Sequence, residues 1–287
     1  QGSPWNAMCP TGSSGTALVG CVAISMAQIM HYWSYPASGI GYESYYDYPY
    51  GTLSQDLGTP YDWDNMPNSS PTEDTQLLLF ECGMTVHMDY DVEGSGAQVG
   101  VGSNSARYAL YNNFGYNLSS YRSASNYTES SWKELIKQYL DLGQPIIHDG
   151  FDSDGGHAWN VDGYDDDDNF HMNWGWGGSS NGWFTVDNLV AGGWSMNDDR
   201  SILVNISPQN LQVPNLEFVD YEIEELGGDM DGVVNPGELS NYYVTVENIF
   251  PWPAAEDVIM LLLSNSNEIS VIQDYSSTST IFIIFNN

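Results

Sequence analysis

Cys21 and His157 are the side chains best suited in this sequence to make and break bonds: a thiol opens a helix-forming run, and an imidazole follows Gly155 and Gly156. A thiolate adds to a carbonyl carbon, and an imidazole within reach takes the thiol proton and later returns it; together they perform acyl transfer. After Cys21, apolar residues recur at Val22, Met26, Ile29, Met30 and Trp33, so the spacing predicts a helix over residues 21–33 with one buried face. Pro36 requires that helix to have ended. At the first helical position Cys21 meets unpaired backbone N–H groups and the positive end of the helix dipole, both of which favour thiolate over thiol.

His157 lies in the run from Gly155 to Tyr164, and Phe170-His-Met-Asn-Trp-Gly-Trp-Gly-Gly178 follows after an acidic turn. Two adjacent antiparallel strands would carry Asn173 back past His157. A carboxamide that accepts from one ring N–H fixes the tautomer and leaves the other nitrogen facing the thiol. Trp174 would cover that bond and exclude water, but the strand register that decides the contact is not written in the sequence. Asp166, Asp167, Asp168 and Asn169, between the two strands, read as a hairpin turn rather than a metal cluster. His31 falls too late in its helix to face Cys21, and His87, His148 and His171 lack a Gly-Gly approach, so these four are expected to be structural or surface residues. No His or Cys spacing matches a zinc site.

Further helices are predicted over residues 72–84 and 130–142, each with a polar first turn, and strands over 145–150, 157–164, 170–174, 182–186 and 200–206. Helices first and antiparallel strands after them make the fold class α+β. A boundary near residues 207–213 divides the chain into domains 1–207 and 208–287. The second domain alternates apolar and polar residues at 216–223, 238–246 and 258–263, and reads as part of an all-β immunoglobulin-like sandwich, truncated at its last strand. Within it, Asp229, Asp231, Asn235 and Glu238 form a candidate calcium loop with glycines for a tight turn, although not at EF-hand spacing; a metal-free acidic turn is the alternative.

With 287 residues and 41% hydrophobic content, the chain is long and apolar enough to bury a full core. Only five basic residues oppose 38 acidic ones, a formal net charge of -33. That excludes nucleic-acid binding, which needs Lys and Arg against phosphate, and disfavours anionic membranes. It fits a soluble extracellular protein and favours cationic partners. No run approaches the ~20 apolar residues of a membrane helix. Of three cysteines at least one is unpaired; Cys9 and Cys82 either bridge in an oxidising compartment or remain buried thiols.

Taken together, Gln1-Gly-Ser-Pro-Trp-Asn6, Gly20-Cys-Val-Ala-Ile-Ser-Met-Ala-Gln-Ile-Met30 with Tyr35-Pro36, Gly155-Gly-His-Ala158 and residues 170–178 occur in an order that resembles the streptopain family of papain-like cysteine endopeptidases. The resemblance covers residues 1 to about 207. It implies a papain-like fold there and a secreted endopeptidase. In it Cys21 is the nucleophile, His157 the general base and acid, Asn173 the orienting residue and Trp174 the shielding ring. It further implies that Gln1 and the Cys21 backbone N–H form the oxyanion hole, that catalysis needs no cofactor, and that protein or peptide substrates are cleaved. Family members are made as zymogens with an inhibitory prosegment, so the natural protein is expected to extend upstream of Gln1. The short segment 151–156 departs from the family pattern: Asp152 and Asp154 are expected to raise the His157 pKa and to favour basic substrate residues. The rival readings are a catalytically silent binding or adhesion protein, and a transpeptidase or isopeptidase using the same Cys–His dyad. Retention of Cys21, His157, Asn173 and Gln1 together argues against the silent one.

Overall fold

A computed structural model of the chain describes residues 1–153, 155–209, 216–226, 240–248, 270–277 and 280–286. The chain divides into two compact units, Gln1–Asn210 and Leu211–Asn287.

In the first unit, a short ladder of β1 (Thr11–Gly12) with β2 (Gly15–Thr16) precedes α1 (Cys21–Trp33), which spans the run read as helical from its apolar spacing. Its small and apolar side chains bury Val22, Ala23, Met26, Ala27, Ile29 and Met30. Ser34 ends the helix in the left-handed region at φ 45°. A hairpin of β3 (Tyr42–Asp47) and β4 (Gly51–Asp56) follows. Helix α2 (Glu73–Thr85) starts at Thr72, whose hydroxyl accepts from the Thr75 N–H. Helix α3 (Ala106–Phe114) has no counterpart in the predicted elements: it is nine residues long and no side chain caps its start. Helix α4 (Glu129–Asp141) opens on a reciprocal capping box of Thr128 and Ser131.

The strands β5 (Ser120–Ser123), β6 (Ile146–Phe151), β7 (Gly156–Tyr164), β8 (Phe170–Asn173), β9 (Gly182–Phe184) and β12 (Asp198–Val204) build one antiparallel sheet in the order β5-β12-β6-β7-β8-β9. A separate two-residue ladder joins β10 (Val190–Ala191) to β11 (Trp194–Ser195). Alternation along the strands sends Ile147, Ala158 and Leu203 into one core with residues of α1, α2 and α3. Ile146, Trp159, Val161, Ile202 and Val204 enter a second core with Trp132 and Ile136 of α4. The sheet is therefore covered by helices on both faces, and α1 lies against β7.

The residues between β7 and β8 form a turn. Asp165 accepts from the N–H groups of Asp167 and Asn169 at 3.0 and 2.9 Å, and Asp168 pairs with Lys137 and Lys133 at 2.5 and 3.7 Å. All three cysteines are free, which sets aside the Cys9–Cys82 bridge: Cys9 and Cys82 are buried thiols, and Cys82 Sγ faces the Met30 sulfur at 3.7 Å. Burial pushes the Cys9 thiol up to about 12.

The second unit contains β13 (Leu216–Glu225), β14 (Ser240–Asn248), β15 (Ser270–Ser277) and β16 (Thr280–Asn286) in an antiparallel sheet of order β13-β14-β16-β15. The predicted strand at 258–263 and the candidate calcium ligands Asp229, Asp231, Asn235 and Glu238 lie outside the described residues.

Candidate active site

Gly20 turns the chain into α1 with φ 87°, a backbone region that side chains disfavour. A Cβ added there would also sit 2.6 Å from the Met88 sulfur and terminal methyl. The turn makes Cys21 the first helical residue. Backbone groups of Ala158, Val22 and Cys21 itself hydrogen-bond its sulfur and favour the thiolate, but burial is the larger effect and pushes the thiol up. The preference for thiolate expected from the helix start is thus outweighed by desolvation.

His157 lies near the start of β7, paired with Gly150 of β6, and its neighbour Ala158 pairs with Asp149. The imidazole Nε2 stands 2.8 Å from the Trp174 carbonyl oxygen. A carbonyl can only accept, so Nε2 carries the proton and Nδ1 is the free base. This orienting contact differs from the one expected of Asn173. In the β7–β8 register Asn173 lies opposite Asn160, three residues beyond His157, or about 10 Å along a strand. Its Oδ1 accepts instead from the Gly175 N–H at 3.1 Å and from Gln28 Nε2 at 3.5 Å. The main-chain carbonyl of the next residue reaches the imidazole in place of the carboxamide.

Indole rings surround the imidazole. The fully buried Trp174 ring lies 6.1 Å from it at 12°, and Trp176, half-buried, approaches more closely, at 4.8 Å. Trp176 was not singled out from the sequence, although it stands in the same Trp-Gly-Trp run. Burial lowers the His157 pKa to about 4, against the raising effect of the Trp174 hydrogen bond. Desolvation thus penalises a lone thiolate and a lone imidazolium alike. Burial therefore favours the neutral form of each group, thiol for Cys21 and imidazole for His157.

Gln1 is half-buried beside this pair. Its carbonyl accepts from Val19 at 3.2 Å, just ahead of Gly20, and its carboxamide faces Gly177, where an added Cβ would lie 3.8 Å from Nε2. Gln1, Cys21, His157, Trp176 and Asp149 line one cleft of about 880 Å³. Asp152 is turned back on its own loop, accepting from the Gly155 N–H at 3.1 Å, and Asp154 lies outside the described residues. The His157 pKa moves down, opposite to the rise expected from these two carboxylates, because desolvation dominates.

The remaining histidines are engaged elsewhere. His31 meets the Met66 carbonyl at 2.8 Å, His171 meets Asp162 at 2.5 Å, and His87, on the cleft wall, bonds Glu43 and Asn104. His148 is buried under the sheet, stacked on Trp159 at 4.4 Å. Among the described residues, no three His, Cys, Asp or Glu side chains assemble into a metal-binding group.

The family model of the peptidase C10 family matches residues 1–184. The chain belongs to the peptidase C10 family. Within that family it is 34% identical over 235 residues to the thiol protease/hemagglutinin PrtT of Porphyromonas gingivalis, covering 75% of this chain and 27% of PrtT. It is 32% identical over 241 residues to streptopain of Streptococcus pyogenes, covering 72% of this chain and 60% of streptopain. The structure of interpain A cysteine protease from Prevotella intermedia aligns with a TM-score of 0.65 at 31% identity, over 72% of this chain and 90% of that one. These C10 relatives place the chain among papain-like cysteine peptidases, a class that needs no catalytic cofactor. No helix among the described residues is long and apolar enough to cross a membrane.

Proposed function

We propose that the chain is a cysteine endopeptidase that hydrolyses peptide bonds in proteins through an acyl-enzyme on Cys21. The observation that carries this reading is that Cys21, at the start of α1, and His157, on β7, line one cleft while the Trp174 carbonyl holds the imidazole with Nδ1 unprotonated.

In the first step the Cys21 proton passes to Nδ1 of His157 as the sulfur adds to the scissile carbonyl carbon. The oxyanion takes hydrogen bonds from the backbone N–H of Cys21 and the side-chain amide of Gln1. When the tetrahedral adduct collapses, the C–N bond breaks and the leaving amine takes the proton from His157. A water molecule then adds to the thioester, giving its proton to Nδ1, and the C–S bond breaks to release the acid and restore the thiol. The indoles of Trp174 and Trp176 keep bulk water from the His157–Trp174 hydrogen bond. Asn173 acts on the backbone rather than on the imidazole, holding the Gly175 N–H so that the preceding carbonyl keeps its aim. The chemistry requires a reduced thiol and no cofactor.

Residues 1–207 form the peptidase domain in this proposal, and residues 208–287 an appended immunoglobulin-like module. The strongly acidic composition supports an extracellular location, and the likeness to the prointerpain A fragment of Prevotella intermedia supports synthesis as a longer proenzyme. A reduced sample should digest an unfolded protein and be titrated by a thiol-directed peptidyl epoxide, and Cys21→Ala should do neither. If digestion survived in Cys21→Ala, the assignment would fall.

A further inference from the structure

We infer that Asp149 is a specificity-determining residue, ending a subsite in the Cys21–His157 cleft that receives a lysine or arginine side chain of the substrate. This rests on the peptidase reading above and names the class of substrate.

Asp149 is on β6, opposite Ala158 and one residue from the Gly150–His157 pair, so the strand register sets it beside the reacting groups. It is only 6% exposed, yet it lines the cleft. One carboxylate oxygen, Oδ2, accepts from the Tyr121 hydroxyl at 2.6 Å; the other, Oδ1, is buried and has no hydrogen-bond partner among the described residues. A buried carboxylate with an open acceptor is costly unless a cation or donor reaches it. Burial accordingly raises its carboxyl to about 7.

Four of the chain's five basic side chains are engaged elsewhere: Lys133 and Lys137 pair with Asp168, Arg107 donates to the Ser119 carbonyl and Arg200 to that of Val186. The fifth, Arg122, is exposed on β5 and does not line the cleft. The cleft lining contains Asp89 and Glu93 besides Asp149 and no lysine or arginine, so its field attracts positive charge. Val86, Ala97, Val99 and Met196 add apolar surface to the same lining. Apolar walls with a carboxylate at the inner end suit an amphipathic basic side chain, whose methylenes pack while its head group pairs. Asp152, by contrast, is spent on its own turn. Among the described residues, the basic preference is therefore assigned to Asp149 and not to Asp152.

The test is a positional library of fluorogenic peptides cleaved by wild type and by Asp149→Asn. At one position wild type should prefer Arg or Lys to Leu, and Asp149→Asn should lower kcat/KM for the basic peptide roughly tenfold or more while leaving the Leu peptide nearly unchanged. A wild type that prefers neutral residues at every position overturns the inference whether or not the variant folds. So does a variant that loses all peptides in proportion while keeping its melting temperature. Calorimetric binding of the Arg and Leu peptides to Cys21→Ala separates the two readings. Arg-selective binding without turnover by the wild type would sink the peptidase assignment and leave the subsite standing, and equal binding with turnover would do the reverse.

Discussion

Asn160 of β7 donates from Nδ2 to Oε1 of Gln28 on α1 at 2.8 Å, which ties the strand carrying His157 to the helix carrying Cys21. Asn160 Nδ2 also reaches the Ser25 carbonyl at 3.2 Å, and Gln28 Nε2 continues to Asn173 Oδ1 at 3.5 Å. Asn173 in turn holds the Gly175 N–H. The chain of amides thus runs from the nucleophile's helix to the loop that presents the Trp174 carbonyl. Each link, buried at Ser25 and part-buried elsewhere, contributes about 1 kcal/mol, and its loss leaves a polar group unmet.

Gln28→Ala should therefore act on geometry. We expect kcat to fall about tenfold with KM little changed, because ~1.4 kcal/mol of misplacement appears in the transition state. Gln28→Glu keeps the acceptor for Asn160 and loses the donor to Asn173, so it should fall between. Active-site titration with peptide kinetics checks this; a Gln28→Ala enzyme with unaltered kcat would show that the amide chain does not position the site.

The elements that hold Cys21 and His157 were legible because each carries a local signature. The apolar spacing after Cys21 gave α1, and Gly155-Gly156-His157 with alternating residues gave β7. The hairpin β3–β4 was not legible, since β3 mixes tyrosines with polar residues, β4 has Leu53 as its single large apolar residue, and Tyr42 and Tyr46 point to solvent. Nor was α3, short and uncapped by any side chain. At the site, the acceptor for His157 is a main-chain carbonyl, and a backbone group leaves no trace in residue type. The sequence offered Asn173 one residue away, and only the β7–β8 register distinguishes them. Asp149 likewise gains its meaning from Tyr121, brought to it from β5.

His148 makes stability depend on pH with a definite sign. Its ring is fully buried between Trp159 and the edge of Trp132, its Nδ1 donates to the Asp149 carbonyl, and its Nε2 has no partner among the described residues. Burial, with Arg200 adding to it, lowers its pKa to about 3. The folded state keeps it neutral while the unfolded chain takes up a proton below about 6.5, so stability falls as pH drops below that value. Between pH 6.5 and 5 the loss should be about 2 kcal/mol from this group. His157 adds a term of the same sign, and Asp149, raised to about 7, adds one of opposite sign that is lost as pH rises from its unfolded value near 3.8. His148→Phe keeps the stack and removes one titration, so the wild-type minus variant difference in urea stability at pH 7, 6 and 5 isolates it. A difference independent of pH would mean that His148 is not held neutral.

Trp176 should set the acid limb of activity. Its ring is the nearest indole to the imidazole, at 4.8 Å, and it is half-buried, so it supplies part of the desolvation that lowers His157 to about 4. Replacing it with alanine admits water, which solvates the imidazolium and moves the His157 pKa up toward 6.5. Because the attack needs an unprotonated Nδ1, the pH at which kcat/KM falls by half on the acid side should rise by on the order of one unit in Trp176→Ala. Trp176→Phe retains an aromatic cover and should shift it less. The same truncation removes surface from the cleft, which would raise KM at every pH, so the decisive readout is the position of the limb and not its height. An acid limb left in place by Trp176→Ala would assign the desolvation to Trp174 and Trp159 alone.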